Sequence, residues 1–391
     1  MILIKLFKRL IVFIYLSLLA SLKAEVITES FYSNALGYEM YYQIVLPIDY
    51  YAETEASFPS IYFLHGFGAD YSWYESIIDV HEDMILSGEL NSSILIKPDG
   101  FVLPYLGSMY TNSEYNGQFE DYIVQDLIQH IDENYNTKQD PKFRAIMGHS
   151  MGGYGAVKLS VKFPELFQVV ASHSGPIVFQ NLISDLLPIL IDETGILGYQ
   201  PWNGSVSLFL YSASAAFSPD ITDFPYYVDL PVDDNGNIIE DVWQLWLDHN
   251  PIDILIDNHS DIQSHRFYLD CGDMDAYLFQ THLNPFTQIL DQMGIAYNSY
   301  IYPGDHFSEL LNGNRFPYSL SYINNAFIMN ELFSSLGDLD NDGIVDIIDL
   351  SLLLHIILGV NIASDSQQIS SDLDFNNLID VLDILILADQ L

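Results

Sequence analysis

The sequence predicts an α/β fold, a mostly parallel sheet with helices on both faces, followed by a small all-α tail. Three observations point there. Short apolar runs that end in Gly- or Pro-containing loops alternate with amphipathic stretches, the pattern of strands buried on both faces and their crossover helices. One of these runs passes into a helix through Met147-Gly148-His149-Ser150-Met151-Gly152-Gly153. Beyond Gly337 the composition turns to Asp, Asn and aliphatic residues, which marks a second domain.

With 391 residues the chain has room for one large domain and one small one. Residues 1–24 read as a secretory signal peptide: Lys5, Lys8 and Arg9 open it, Leu10 to Leu19 is apolar, and Ala20 to Ala24 offers a cleavage region. That places the mature protein outside the cytoplasm, as an extracellular, cell-surface or periplasmic protein. The apolar run is too short for a stable membrane span.

From Val26 the chain becomes strand-like. Tyr41 to Pro47, Ser60 to Leu64 and Ile94 to Gly100 read as strands with their loops, and Phe119 to Tyr135 has helical period with Ile123, Leu127, Ile128 and Ile131 on one face. Strands follow at Phe143 to Ile146 and Gln168 to Ser172. The rhythm then breaks over about 176–248, a segment rich in Phe, Tyr and Trp and too long for an ordinary connection. It reads as an insertion over the sheet edge, its aromatic residues either lining a pocket or forming a small core of their own. Strands resume at Arg266 to Gly272 and Ala296 to Tyr302. The predicted domains are 25–335, carrying this insertion, and 336–391.

Charge excludes several functions. Twelve basic residues face 53 acidic ones, for a net charge of −41, and removal of the signal segment with its four cations would leave −45. Such a field repels nucleic acid and anionic lipid and favours cations. Cys271 is the one cysteine, so no intrachain disulfide can staple the fold.

The chemistry centres on Ser150. A strand turning abruptly into a helix needs small residues around the turn, and Gly148 and Gly152 supply them. The turn would hold Ser150 Oγ at a sheet edge beside a helix N-terminus. A serine hydroxyl needs a base, and that imidazole needs a carboxylate to orient it. Asp275 and His306 follow two successive late strands, in the required order. Asp270 and Asp273 are rivals for the acid, Asp270 being placed on the strand itself. Two backbone N–H groups must meet the oxyanion; Met151, after the nucleophile, and Phe67, after His65-Gly66, are the expected donors. His65 and His149 read as structural neighbours of these motifs.

With Leu46-Pro47, Leu64-His65-Gly66, Gly148 to Ala156, Cys271-Gly272 with Asp275, and Pro303 to His306 in view, the segment from about Val26 to Phe333 resembles the esterase D-like branch of the α/β-hydrolases. That branch includes S-formylglutathione hydrolases, feruloyl and acetyl-xylan esterases and mycolyltransferases. The resemblance implies an α/β-hydrolase fold and a serine esterase or acyltransferase with Ser150, Asp275 and His306 as triad and no cofactor for catalysis.

The tail carries a duplicated loop. Asp338, Asp340, Asp342, Asp346 and Asp349 stand at positions 1, 3, 5, 9 and 12 of a calcium-binding pattern, with Gly343 at 6 and the Ile344 carbonyl at 7. Thirty-four residues on, Asp372, Asp374, Asn376, Asp380 and Asp383 repeat it, with Asn377 for the glycine and the Leu378 carbonyl at 7. Each loop runs into a short apolar helix. This arrangement resembles a type I dockerin, which implies structural Ca²⁺ and a cohesin-like scaffold partner. Positions 10 and 11, usually Ser or Thr in cellulosomal dockerins, are Ile347-Ile348 and Val381-Leu382 here.

The expectation is therefore a secreted serine carboxylesterase for a feruloyl- or acetyl-type ester on a polysaccharide, tethered by its tail. An acyltransferase on the same triad, or a non-catalytic adhesion protein with a hydrolase fold, are the alternatives.

Overall fold

The computed structural model describes residues 24–52, 56–195, 198–340, 345–373 and 378–390, so nearly all of the signal segment lies outside it. The chain divides into two compact units, the first ending at Asn324 and the second running Asn325–Leu391. The division falls inside the helix Phe316–Ser335, earlier than the change of composition at Gly337. Among the described residues no helix is long and apolar enough to cross a membrane.

The first unit is built on an eight-stranded sheet of order β1-β2-β4-β3-β7-β8-β9-β10. The antiparallel edge is β1 (Glu25–Ser33) and β2 (Tyr38–Leu46), and β2 pairs antiparallel with β4 (Ile94–Pro98). From β4 the sheet is parallel through β3 (Ser60–Leu64), β7 (Arg144–His149), β8 (Val169–His173), β9 (Arg266–Gly272) and β10 (Ala296–Tyr302). A ribbon of β5 (Asn112–Ser113) and β6 (Gly117–Gln118) stands apart. Every residue of β3, β4, β7 and β8 is buried, as unbroken apolar runs require when helices cover both faces. Edge strand β10 is largely exposed and correspondingly polar.

The stretch from Phe119 to Asn134 is helical with one widened π turn at Tyr122–Leu127, and its predicted face is buried. The insertion folds as helices Phe179–Glu193, Ser205–Phe217 and Glu240–Leu247. Both expectations for its aromatic residues hold in part. Phe179, Phe217, Trp243 and Trp246 pack on one another, with Phe217 and Trp246 ring centroids 5.2 Å apart. Phe209 instead faces the cleft described below, and Trp202 and Phe224 are exposed. Glu193 joins two of these helices by accepting the backbone N–H groups of Val206 (3.1 Å) and Ser207 (2.7 Å).

A buried polar cluster ties β8 and β9 to the helix Phe316–Ser335. Asp270 accepts from Arg315 Nε (3.0 Å) and the Tyr268 hydroxyl (2.9 Å), and lies 2.6 Å from His173 Nδ1. Ser319 Oγ meets His173 Nε2 at 3.0 Å. Removing one member would strand the rest without partners. Asp270→Ala should therefore cost about 3–5 kcal/mol. Denaturant melts against Asp273→Ala, expected to lose less than about 1 kcal/mol as a mostly solvated loop change, check the contrast.

Candidate active site

Ser150 sits between β7 and the helix Met151–Lys162 with φ 56° and ψ −115°, a conformation that L residues rarely adopt. Two glycines make it possible. A Cβ on Gly152 would collide with the Leu64 carbonyl, and one on Gly148 with the Gly152 backbone. The turn is fixed from β8 as well, since Ser150 N–H donates to the His173 carbonyl at 2.8 Å.

The structure brings Asp275 and His306 together. His306 Nδ1 and Asp275 Oδ2 are 2.6 Å apart, both side chains buried. Asp275 Oδ1 accepts from Tyr277 N–H at 2.8 Å, and its Oδ2 also accepts from the Cys271 thiol at 3.2 Å. Burial alone would raise this carboxyl; the bonds from His306, Tyr277 and Cys271 outweigh it and hold Asp275 below its ordinary value. The rivals go elsewhere. Asp270 belongs to the closed cluster with His173 and Arg315, and Asp273 accepts the Gly304 N–H at 3.1 Å. Gly272 lets the two loops cross, because a Cβ there would strike the Gly304 carbonyl.

Ser150 and His306 line one cleft of about 430 Å³, open to solvent, with Phe67, Phe209, Tyr277, Phe279 and Phe307 among its walls. His306 Nε2 is buried with no hydrogen-bond partner. Among the described residues the N–H groups of Phe67 and Met151 have no acceptor, while their neighbours Gly68 and Ser150 donate to Leu106 and His173 carbonyls. His65 shapes this side: its Nδ1 donates to the Gly66 carbonyl (2.9 Å), and its Nε2 accepts the Gly100 N–H (2.8 Å).

Sequence reasoning left several cleft residues unassigned. Tyr74, Tyr277 and Phe307 belong to no motif, and His149, read as structural, lines the cleft as well. Cys271 carried no hint of its bond to the acid.

A serine on a strained strand–helix elbow, in one cleft with a His–Asp pair from later strands, is the arrangement of the α/β-hydrolases. Residues 33–293 match the family described as "Putative esterase", a span that takes in Ser150 and Asp275 and ends before His306. The chain belongs to that family.

Esterase Rv1288 of Mycobacterium tuberculosis is 27% identical over 146 residues, 37% of this chain and 31% of the relative. The endo-1,4-beta-xylanase/feruloyl esterase of Xylanibacter ruminicola is 27% identical over 165 residues, 40% of this chain and 22% of the relative. The chain thus spans about a third or less of the length of these curated relatives. Among solved structures, a ferulic acid esterase superposes with TM-score 0.57 at 18% identity, over 78% of this chain and 100% of that one. An S-formylglutathione hydrolase from Staphylococcus aureus gives 0.53 at 18%, over 77% and 99%. At these identities the likeness is one of fold.

In the second unit, Leu339, Leu353, Leu373 and Leu387 form a small core. Asp349 is buried and accepts the N–H groups of Leu339 (2.7 Å), Asp340 (3.2 Å) and Asp346 (2.8 Å). Asp383 repeats this with Leu373 (2.7 Å) and Asp380 (2.8 Å). Carboxylate oxygens of Asp338, Asp340 and Asp349 lie within 4.8 Å of one another. Of the predicted ligands, Asp342, Ile344, Asp374 and Asn376 lie outside the described residues, while Asp372, Leu378 and Asp383 lie within them.

Folding favours the ionised form of Asp275. The stability this lends is present above the unfolded carboxyl pKa of about 3.9 and is lost as pH falls through the lower native value. Asp275→Asn should be less stable than the parent at pH 7, and the gap should narrow below about pH 4. Melts across this range test it; a gap independent of pH would assign the loss to packing.

Proposed function

We propose that the chain is a secreted serine carboxylesterase that works through an acyl-enzyme on Ser150. The observation that carries this reading is the shared cleft: a strained serine and a buried imidazole whose Nδ1 is committed to Asp275 while Nε2 is unpartnered. Ser150 Oγ attacks the acyl carbonyl and its proton passes to His306 Nε2. The Phe67 and Met151 N–H groups receive the oxyanion. Collapse breaks the acyl–oxygen bond, and the leaving alcohol takes the proton from His306. Water then repeats the sequence, with His306 as base, to release the acid and restore Ser150. Asp275 holds the ring and stabilises the imidazolium. No cofactor enters.

The substrate class we infer is a feruloyl- or acetyl-type ester on a carbohydrate. Walls formed by Phe67, Phe209, Tyr277, Phe279 and Phe307 suit an aromatic acyl group, whose ring can stack or meet them edge-on. A relative whose name joins xylanase to feruloyl esterase supports the carbohydrate link. The amino-terminal residues, read as a signal peptide, support secretion.

For the tail we propose structural Ca²⁺ and a dockerin-like tether to a cohesin-like module. An all-oxygen donor set gathered on one loop, repeated after 34 residues, suits a hard cation. Ile347, Ile348, Val381 and Leu382, the paired positions 10 and 11, are all exposed and would form the docking face.

Purified mature protein and its Ser150→Ala variant should be compared on p-nitrophenyl acetate, p-nitrophenyl octanoate and methyl ferulate. Expected is turnover that favours acetate or ferulate and falls at least about 10³-fold in the variant. Preference for octanoate would overturn the substrate class, and no serine-dependent turnover would overturn the esterase. Calorimetry should show one tighter and one weaker Ca²⁺ site, since neutral Asn376 weakens the second loop. Two equal sites would remove that charge argument, and no binding would remove calcium.

A further inference from the structure

Among the polar groups of the cleft that take no part in the acyl transfer described above are His149 and Tyr74. His149 is fully buried at the end of β7, one peptide before Ser150. Its Nε2 lies 2.7 Å from the His306 carbonyl oxygen, and its Nδ1 lies 2.7 Å from the Tyr74 hydroxyl. A carbonyl can only accept, so Nε2 carries the proton and Nδ1 accepts from the tyrosine. Partners at both nitrogens fix the tautomer.

The geometry points to His149 and Tyr74 as positioning residues for His306: Tyr74 sets the tautomer of His149, and His149 pins the carbonyl of His306 to the strand that carries Ser150. This inference rests on the esterase reading, in which His306 is the base. His306 lies on the loop between β10 and the short helix Ser308–Leu311, with no strand register of its own. Asp275 anchors its ring from one side. That bond sets where Nδ1 points, and the backbone bonds of this loop run to the β9 loop rather than to the elbow. The His149 bond closes the gap, tying base and nucleophile through a single side chain.

Two further features fit that role. Gly66 admits the tyrosine, since a Cβ there would stand 2.8 Å from the Tyr74 oxygen and 3.4 Å from His149 Nδ1. Burial, with His306 beside it, holds His149 well below the ordinary imidazole range, so it stays neutral. The two imidazole centroids are 4.8 Å apart, and a cationic His149 would oppose protonation of His306. Tyr74, His306, Phe307 and, from β8, His173 are the groups that face it.

The test uses Tyr74→Phe, His149→Leu and His149→Gln in the full chain. Three readouts are taken: thermal stability, kcat and KM on p-nitrophenyl acetate, and the downfield proton resonance of His306 Nδ1–H. His149→Leu should lower kcat about 10²-fold, the scale of a misplaced catalytic group, with KM within about two-fold. Tyr74→Phe should lower kcat about ten-fold without a change in stability. His149→Gln, which keeps a donor toward the carbonyl, should regain at least about ten-fold over His149→Leu and restore the His306 resonance that His149→Leu loses. Folded Tyr74→Phe and His149→Leu proteins with parental kcat and an unchanged resonance would overturn the inference. Should His149→Leu fail to fold, Tyr74→Phe, which removes one oxygen, decides. Turnover of the parent that survives Ser150→Ala, or is absent, would sink the esterase reading instead, and the resonance, needing no substrate, still decides the positioning.

Discussion

The site depends on one backbone approach, Gly152 against the carbonyl of Leu64. That contact presses the start of the helix Met151–Lys162 onto the end of β3, and the helix can follow β7 only if Ser150 takes its left-handed turn. The consequence reaches beyond the nucleophile. Phe67 lies three residues past Leu64, so whatever fixes the end of β3 against Gly152 also fixes the loop that offers the Phe67 N–H. Met151 is the first residue of the same helix. Ser150 and the N–H groups of Phe67 and Met151, the proposed nucleophile and oxyanion donors, are thus set by one contact between two strands and a helix, before any side chain is considered.

His306 and Asp275, the proposed base and acid, are set by a second crossing, between the loops after β9 and β10. Gly272 lets them pass at backbone distance, and Met274 N–H donates to the Gly304 carbonyl at 2.9 Å. With the strand pair His173–Asp270 there are two His–Asp pairs at the same end of the sheet, each at 2.6 Å. They differ in what closes them. His173 spends its second nitrogen on Ser319 inside the core, and Asp270 is neutralised by Arg315. His306 lines the cleft, and its second nitrogen has no partner. An unpartnered second nitrogen, not pair geometry, separates the pair proposed to act in catalysis from the closed one.

This explains what the sequence revealed and what it withheld. The elbow was legible because its constraint is local: glycines two residues either side of a serine, strand before and helix after. The order of Ser150, Asp275 and His306 was legible because each ends a strand. The two carboxylates two residues apart were not separable, since Asp273 and Asp275 differ only in which way a loop turns after Gly272. Tyr74 was invisible, because its bond to His149 spans 75 residues and follows from the absence of a side chain at Gly66. The insertion was legible as an aromatic segment, yet which ring faces the cleft depends on how its helices pack, and Phe209 alone among the rings on the helix Ser205–Phe217 lines it. In the tail, the spacing of acidic residues was plain, but the N–H groups gathered by Asp349 follow from the fold of the loop.

Across the first unit, buried carboxylates have resident cations or donors. Glu120 meets Lys158 at 2.5 Å and Lys162 at 2.6 Å, Asp132 meets Arg144 at 2.6 Å, and Asp270 meets Arg315. A chain with only twelve Lys and Arg spends some of them inside: Arg144 and Lys158 are both buried. That is what burying a carboxylate requires, because an uncompensated charge in a dry site costs several kcal/mol. The tail breaks the pattern. It draws Asp338, Asp340 and Asp349 together, two of them buried, in a segment with no Lys or Arg after Arg315. Backbone N–H groups offset part of the charge on Asp349, as they do at a helix cap. They do not offset the repulsion among three like charges within 4.8 Å. A bound cation would relieve that repulsion, and this gathering of carboxylates is the physical ground for the calcium proposed there.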